Sequence, residues 1–271
     1  MSDGAQRTWL VLRLEAPLIS FGAVAIDNYG VTWDFPALSM LTGLFANALG
    51  YERTERAAHQ ALQDRLVIAS RIDELPYEGV LRDVQNVHME KSDKGWTTRG
   101  EPEGRDGGSY GGPHRRFRDY HPDAVVFAVV TLRPPGNDNA DAGRPPPSLE
   151  DLVRALDRPE RPLFIGRKPC LPAFPLNAGK VLAETAHAAL TKLPLDTHSA
   201  RLPERPSWRD RNPPQRTMLR AQWPADQGPT VGPLVDRIIA LPDRRNWMSG
   251  LHGGTRRVVE GRIEARPASK P

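Results

Sequence analysis

Apolar and polar positions divide this chain into readable blocks. Trp9-Leu10-Val11-Leu12-Arg13-Leu14 predicts an opening strand, partly alternating and buried on at least one face. Past a loop at Ala16-Pro17-Leu18-Ile19-Ser20-Phe21-Gly22 comes the helix around which the rest is arranged. Leu38, Leu41, Phe45 and Leu49 recur at spacings of three and four, an apolar stripe facing a core. Pro36 suits its first turn, and Gly50 suits the left-handed residue that ends it. On the other side Ser39, Gly43 and Asn47 stand four apart. That face is small and uncharged, open either to a backbone or phosphate or to tight packing of another element through Gly43.

Residues 52–65 predict a second helix, exposed and laced with charge, with His59 as a solvated surface residue. Leu66 to Ile72 predicts a strand closed by Pro76, and Leu81 to His88 an alternating strand. The polar, glycine-rich run from Gly95 to Pro113 follows, and the chain returns through His114-Arg115-Arg116-Phe117-Arg118-Asp119-Tyr120. This layout is a long β-hairpin with a flexible tip, about 77–120. Its return arm interleaves His114, Arg115, Arg116 and Arg118 with Phe117 and Tyr120, the pattern expected where phosphates are held and bases stacked.

Ala124 to Leu132 is the clearest strand, central and buried on both faces. A Pro- and Gly-rich linker at 134–147 and a short helix from Leu149 to Leu156 follow. In Ile165-Gly166-Arg167-Lys168-Pro169-Cys170, two adjacent bases follow a glycine that lets a backbone come close, which suits an acidic partner. Residues 180–230 carry little pattern and many arginines, among them Arg201, Arg205, Arg209, Arg211, Arg216 and Arg220 beside Trp208 and Trp223. Leu241 to Arg245 and Thr255 to Ile263 predict a last turn and an edge strand, with Gly253-Gly254 as the bend, and a loose tail from Ala265.

Bulk properties narrow the function classes. The 271 residues, 39% hydrophobic with mean hydropathy −0.52, suffice for one large domain or two small ones. There is no run of about eighteen apolar residues and no signal-peptide pattern at Met1-Ser2-Asp3-Gly4, so the expected location is cytoplasmic, without a membrane partner. The single Cys170 argues against disulfide, zinc and redox chemistry and reads as a packed small hydrophobe; no cofactor is expected. No Gly-rich Lys-Ser/Thr phosphate loop occurs. Net charge is +4, and 31 of the 37 basic residues are Arg, whose guanidinium grips phosphate and stacks on bases. A G+C-rich coding sequence also raises Arg, Pro and Gly, so composition alone leaves nucleic-acid binding open.

Taken together, the motifs resemble the fifth CRISPR-associated family of the RAMP superfamily, in its type I-E form. The resemblance rests on Leu12-Arg13-Leu14-Glu15-Ala16-Pro17-Leu18, Ser20-Phe21-Gly22, Thr32, Phe35-Pro36, Ser39, Gly43-Leu44 and Ala48-Leu49-Gly50. It continues through Leu81-Arg82-Asp83, Arg118-Asp119-Tyr120 with Asp123-Ala124, Ile165 to Pro172 with Pro175-Leu176, and Arg256-Arg257-Val258. The chain departs from the family pattern in having no Arg among Tyr29 to Val31, Pro169 where Ser is common, and a longer hairpin.

The resemblance implies an α+β fold: an RRM/ferredoxin-like body (1–133) bearing a β-hairpin thumb, the 134–147 linker, and a small irregular C-terminal part (148–271). It further implies a non-catalytic RNA-binding subunit of a CRISPR Cascade complex that holds the crRNA 5′ handle and caps the backbone filament. Its partners would be that handle, the backbone subunit and the large subunit, with target DNA met only indirectly. The residues expected to hold RNA are Ser20, Ser39, Gly43, Asn47, Arg82, Arg115, Arg116, Arg118, Arg167, Lys168 and Arg256. The alternative is a metal-independent endoribonuclease, which needs a base and an acid about 3 Å from the reacting oxygens; His88, Tyr110, His114 and His121 are the side chains available.

Overall fold

A computed structural model describes residues 6–24, 28–75, 79–88, 90, 92–96, 102–106, 113–136, 143–195 and 218–265. Tyr110, the run from Arg201 to Arg216 with Trp208, and the tail past Ala265 lie outside the described residues. In chain order the elements are β1 (Arg7–Glu15), β2 (Leu18–Ile19), β3 (Tyr29–Gly30), α1 (Leu38–Ala48), α2 (Arg56–Arg65), β4 (Leu66–Glu74), β5 (Leu81–Val87), β6 (Lys94–Trp96) and β7 (Pro102–Asp106). Then come β8 (His114–Pro122), β9 (Val125–Leu132), α3 (Leu149–Asp157), β10 (Asn177–Ala183), α4 (Ala186–Lys192), β11 (Met218–Pro224), β12 (Val235–Leu241) and β13 (Arg256–Glu264).

A seven-stranded antiparallel sheet, order β10-β1-β9-β4-β11-β13-β12, forms the body. Strands from both sides of the Pro134–Pro147 segment lie in it, and Arg65 ties the segment's two ends by donating to Arg133 O (2.9 Å) and Pro147 O (2.8 Å). The alternation in β1 explains how the sheet is covered on both faces. Leu10, Leu12 and Leu14 pack under α1, α2 and α3 with Val126, Ala128 and Val130 of β9. Trp9 and Val11 point the other way, into a second cluster with Val129, Trp223 and the alanines of α4. The central strand is therefore buried on both faces, as its unbroken apolar run predicts.

β5 and β8 pair as the predicted hairpin, from Leu81 opposite Tyr120 to Val87 opposite His114. Within the glycine-rich tip, β6 and β7 form a two-stranded ribbon. At the hairpin's base β8 also takes β3 in parallel and β2 antiparallel, so the thumb is tied to the loop before α1.

Several expectations are corrected. Pro36 precedes the N-cap Ala37 and is outside the helix. α2 begins at Arg56, and His59 is buried rather than solvated, its Nδ1 2.8 Å from Glu55 O and its ring stacked on Trp247. β13 is an interior strand; β12 is the edge. The described parts of the 180–230 stretch hold the end of β10, α4 and β11.

His187 of α4 packs edge-on against Trp223, with ring centroids 4.7 Å apart, and this burial lowers its pKa. The folded protein then holds fewer protons than the unfolded chain below the ordinary histidine pKa of about 6.5. Stability contributed at neutral pH is lost as pH falls through the folded value. The midpoint of thermal unfolding should drop between pH 7 and pH 5, and His187→Gln should flatten that slope in a pH series of melts.

Candidate nucleic-acid interface

Helix α1 has no acidic residue in its first turn and no side-chain cap of its own. Its N-terminal donors are met from far along the chain: Asp243 accepts from Leu38 N through Oδ2 (3.0 Å), and its carbonyl accepts from Ser39 N (3.0 Å). Arg256 grips the same carboxylate bidentately, at 2.7–2.9 Å. The Asp243 carboxylate is fully buried and the Arg256 guanidinium mostly covered, which ties the start of α1 to β13.

What α1 presents outward is its small face. Ser39, Gly43 and Asn47 form one wall of a concave groove of about 680 Å³. Opposite them stand Arg161, Phe164 and the Gly166–Arg167 turn; the loop at Gly22, Gly30 and Val31 closes the thumb end, and His59, Arg245 and Trp247 the other. Four arginines (Arg53, Arg161, Arg167 and Arg245) and one carboxylate, Glu52, line it, so its field favours an anion.

Two glycines shape the groove, one on the α1 wall and one at the turn opposite. A Cβ added at Gly43 would meet the Trp247 indole at 3.8 Å, an ordinary contact. Tight helix packing therefore does not require glycine there, although a mid-helix glycine costs about 0.5–1 kcal/mol relative to alanine. Glycine there leaves about a methyl's width between this wall and the indole. Gly166 is the reverse case, with φ +86° and a prospective Cβ 1.7 Å from Ser20 O. Only glycine lets the 165–170 turn press against the end of the first strand region, where Ser20 N donates to Ile165 O.

The structure brings Ser20, Ser39, Gly43, Asn47 and Arg167 together around this groove, with Ser20 almost wholly covered. Asn47 also donates to Pro162 O at 2.8 Å, bracing the facing wall. Arg167 works as a staple: it donates to Asp119 O (2.8 Å) and Gly30 O (2.6 Å) and lies over the Tyr120 ring. Lys168 is exposed beside it, outside the groove lining.

The remaining predicted residues are elsewhere. Arg82 is bound bidentately by Asp119 (2.7 and 3.0 Å), and that hydrogen bonding lowers the Asp119 pKa. Arg118 donates to Phe117 O and Asn28 O, holding the loop that runs into β3. Arg115 and Arg116 are exposed on the thumb, and Arg256 is spent on Asp243. The arm's aromatic rings are not open to bases: Phe117 is covered by Tyr29 in a parallel stack at 4.6 Å, and Tyr120 is buried.

Trp247, Arg245, Arg161 and Arg53 were missed by sequence reading, since they reach the groove from three separate loops. Trp247, two residues after Arg245 of the Arg244-Arg245 pair, was the available signal. Cys170 is buried and its thiol pKa raised by that burial, in keeping with a packing role. Among the described residues no group of three His, Cys, Asp or Glu side chains could hold a metal, and no helix is long and apolar enough to cross a membrane.

An antiparallel sheet bearing a β-hairpin thumb, with an arginine-lined groove at the thumb's base, defines an α+β protein. The family model described as CRISPR-associated protein (Cas_Cas5) matches residues 9–259, and the chain belongs to that family. It is 27% identical over 184 residues to the CRISPR system Cascade subunit CasD of Escherichia coli (strain K12), covering 68% of this chain and 76% of that protein. Two solved structures share the fold. One, titled as a CRISPR RNA-guided surveillance complex, aligns with TM-score 0.62 at 20% identity over 96% of this chain and 91% of the other. The second, titled as the crystal structure of a Cas protein, gives 0.54 at 22% identity over 98% of this chain and all of the other.

Proposed function

We propose that this chain is a non-catalytic RNA-binding subunit of a type I-E CRISPR Cascade surveillance complex, acting in the cytoplasm. In this reading it holds the 5′ handle of the crRNA and caps the filament of backbone subunits, with the large subunit docking nearby. Family membership and the likeness to CasD support the assembly. The observation that carries RNA holding is the groove along α1, floored by a glycine its own packing does not need and lined by four arginines against one carboxylate. Phosphates would sit against the guanidinium groups, and splayed bases would enter the cleft beside the small helix face. Exposed Arg115, Arg116 and Lys168 would extend the positive surface, while Arg82, Arg118 and Arg256 would support the site by holding the thumb, the β3 loop and the start of α1.

One observation gives the endoribonuclease reading a place. Tyr51 and His59 line the same groove, ring edge to ring face at 5.6 Å. Burial raises the Tyr51 pKa, which disfavours the phenolate a base would need, and His59 Nδ1 is engaged by Glu55 O. The test is to mix the purified chain with labelled repeat RNA without metal and run native and denaturing gels side by side. Retarded, intact RNA, with affinity falling steeply as salt rises, is the result expected. Cleaved RNA would overturn the non-catalytic reading and direct substitution to Tyr51 and His59.

A further inference from the structure

We infer that the end of the groove at Trp247 is a stacking subsite for one nucleobase, with a preference for purine; this rests on the groove being an RNA site. Trp247 is held rigid before any ligand arrives. Its indole N–H donates to Gln63 Oε1 at 3.2 Å, and its backbone N–H donates to Gln60 Oε1 at 3.1 Å. The buried Gln63 amide also accepts from Arg245 N (3.0 Å) and donates to Arg245 O (2.8 Å), so one side chain of α2 clamps the segment 245–247. The indole stacks on His59, with centroids 4.8 Å apart and 29° between planes, and the exposed Arg245 guanidinium lies 5.2 Å from its centroid.

With the indole N–H already satisfied and one indole face taken by His59, what this corner offers a ligand is the rest of the indole surface and the planar Arg245 cation. Those are the two surfaces on which unstacked bases are held. Gly43 stands across the gap from the indole edge, where a side chain would narrow the cleft. The arginines along the groove select a polyanion over an apolar peptide, and the rings first expected to stack bases, Phe117 and Tyr120, are covered. A larger π face stacks more strongly, so a purine gains more from this corner than a pyrimidine.

The experiment measures binding of end-labelled octa-adenylate and octa-uridylate RNA by fluorescence anisotropy. Wild type, Trp247→Ala, Trp247→Phe and Arg245→Ala are compared, each checked by thermal melting. Wild type should favour adenylate. Trp247→Ala should weaken adenylate binding by about five- to 150-fold, with uridylate much less affected, so that the preference disappears. Trp247→Phe should keep most of it, and Arg245→Ala, a change at an exposed side chain that does not threaten folding, should reduce it.

Equal loss for both RNAs, or no loss, in a folded Trp247→Ala protein would overturn the subsite. If Gly43→Leu abolishes binding while Trp247→Ala does not, the groove stands and the subsite falls. A wild-type protein that binds neither RNA would overturn the groove reading, and the subsite with it.

Discussion

Asp243→Ala should destabilise the fold by about 3–5 kcal/mol, the range for breaking a buried charge pair from one side. The carboxylate is fully buried, caps α1 at Leu38 N and is held bidentately by Arg256. Its removal leaves a guanidinium without its anion and a helix start without an acceptor. For a chain of this size the midpoint of thermal unfolding should fall by about 10 °C. Asp243→Asn, which can still accept from Leu38 N but no longer balances Arg256, should lie between that variant and wild type. Because α1 carries the groove's small wall, RNA affinity should fall along with the melting midpoint. Unchanged melting of Asp243→Ala would mean that α1 is fixed by its apolar face alone.

Gly166→Ala is the second large effect. The new methyl would sit 1.7 Å from Ser20 O, and a non-glycine residue at φ +86° adds roughly 1–2 kcal/mol of strain. Ser20 is buried and its carbonyl belongs to backbone, so relief requires moving either the 18–22 segment or the whole 165–170 turn. A loss above about 4 kcal/mol is expected, at the exceptional end for a single substitution. Arg167 follows directly. Displacing the turn pulls its guanidinium from Gly30 O and Asp119 O and loosens the thumb's base. The variant should show both a lowered melting midpoint and weakened RNA binding, read on the same preparation. Retention of wild-type affinity would show that the turn does not shape the groove.

The parts of this fold that were legible in the sequence are those whose cause is local. The stripe Leu38, Leu41, Phe45, Leu49 and the left-handed Gly50, at φ +74°, mark α1 because helix period and terminator lie next to each other in the chain. The start of α1 was misplaced because its cap, Asp243, lies 205 residues away. Strands β10 and β12 escaped notice because each is an edge strand that buries little, and its side chains alternate weakly. His59 stands in a charged helix and reads as solvated until Trp247, from a distant loop, covers it.

The site divides in the same way. The small face of α1 was visible because helical spacing places Ser39, Gly43 and Asn47 together on one helix. Arginines, in contrast, advertise charge in a sequence without showing where their donors are spent. Arg82, Arg118 and Arg256 are engaged by the protein's own carbonyls and carboxylates away from the groove, whereas Arg161 and Arg167 line it while also being held, Arg161 by Tyr51 O and Glu52 and Arg167 by Asp119 O and Gly30 O.

If RNA lies against the small face of α1 at Gly43, Gly43→Leu should block it. The substitution replaces a costly mid-helix glycine with a strong helix former, at a site where a Cβ meets nothing closer than 3.8 Å. Expected is a cooperatively folded protein with at least a roughly tenfold loss of affinity for repeat RNA, since blocked stacking alone is worth about 1–3 kcal/mol per base. Undiminished RNA binding by a stably folded Gly43→Leu protein would contradict that placement.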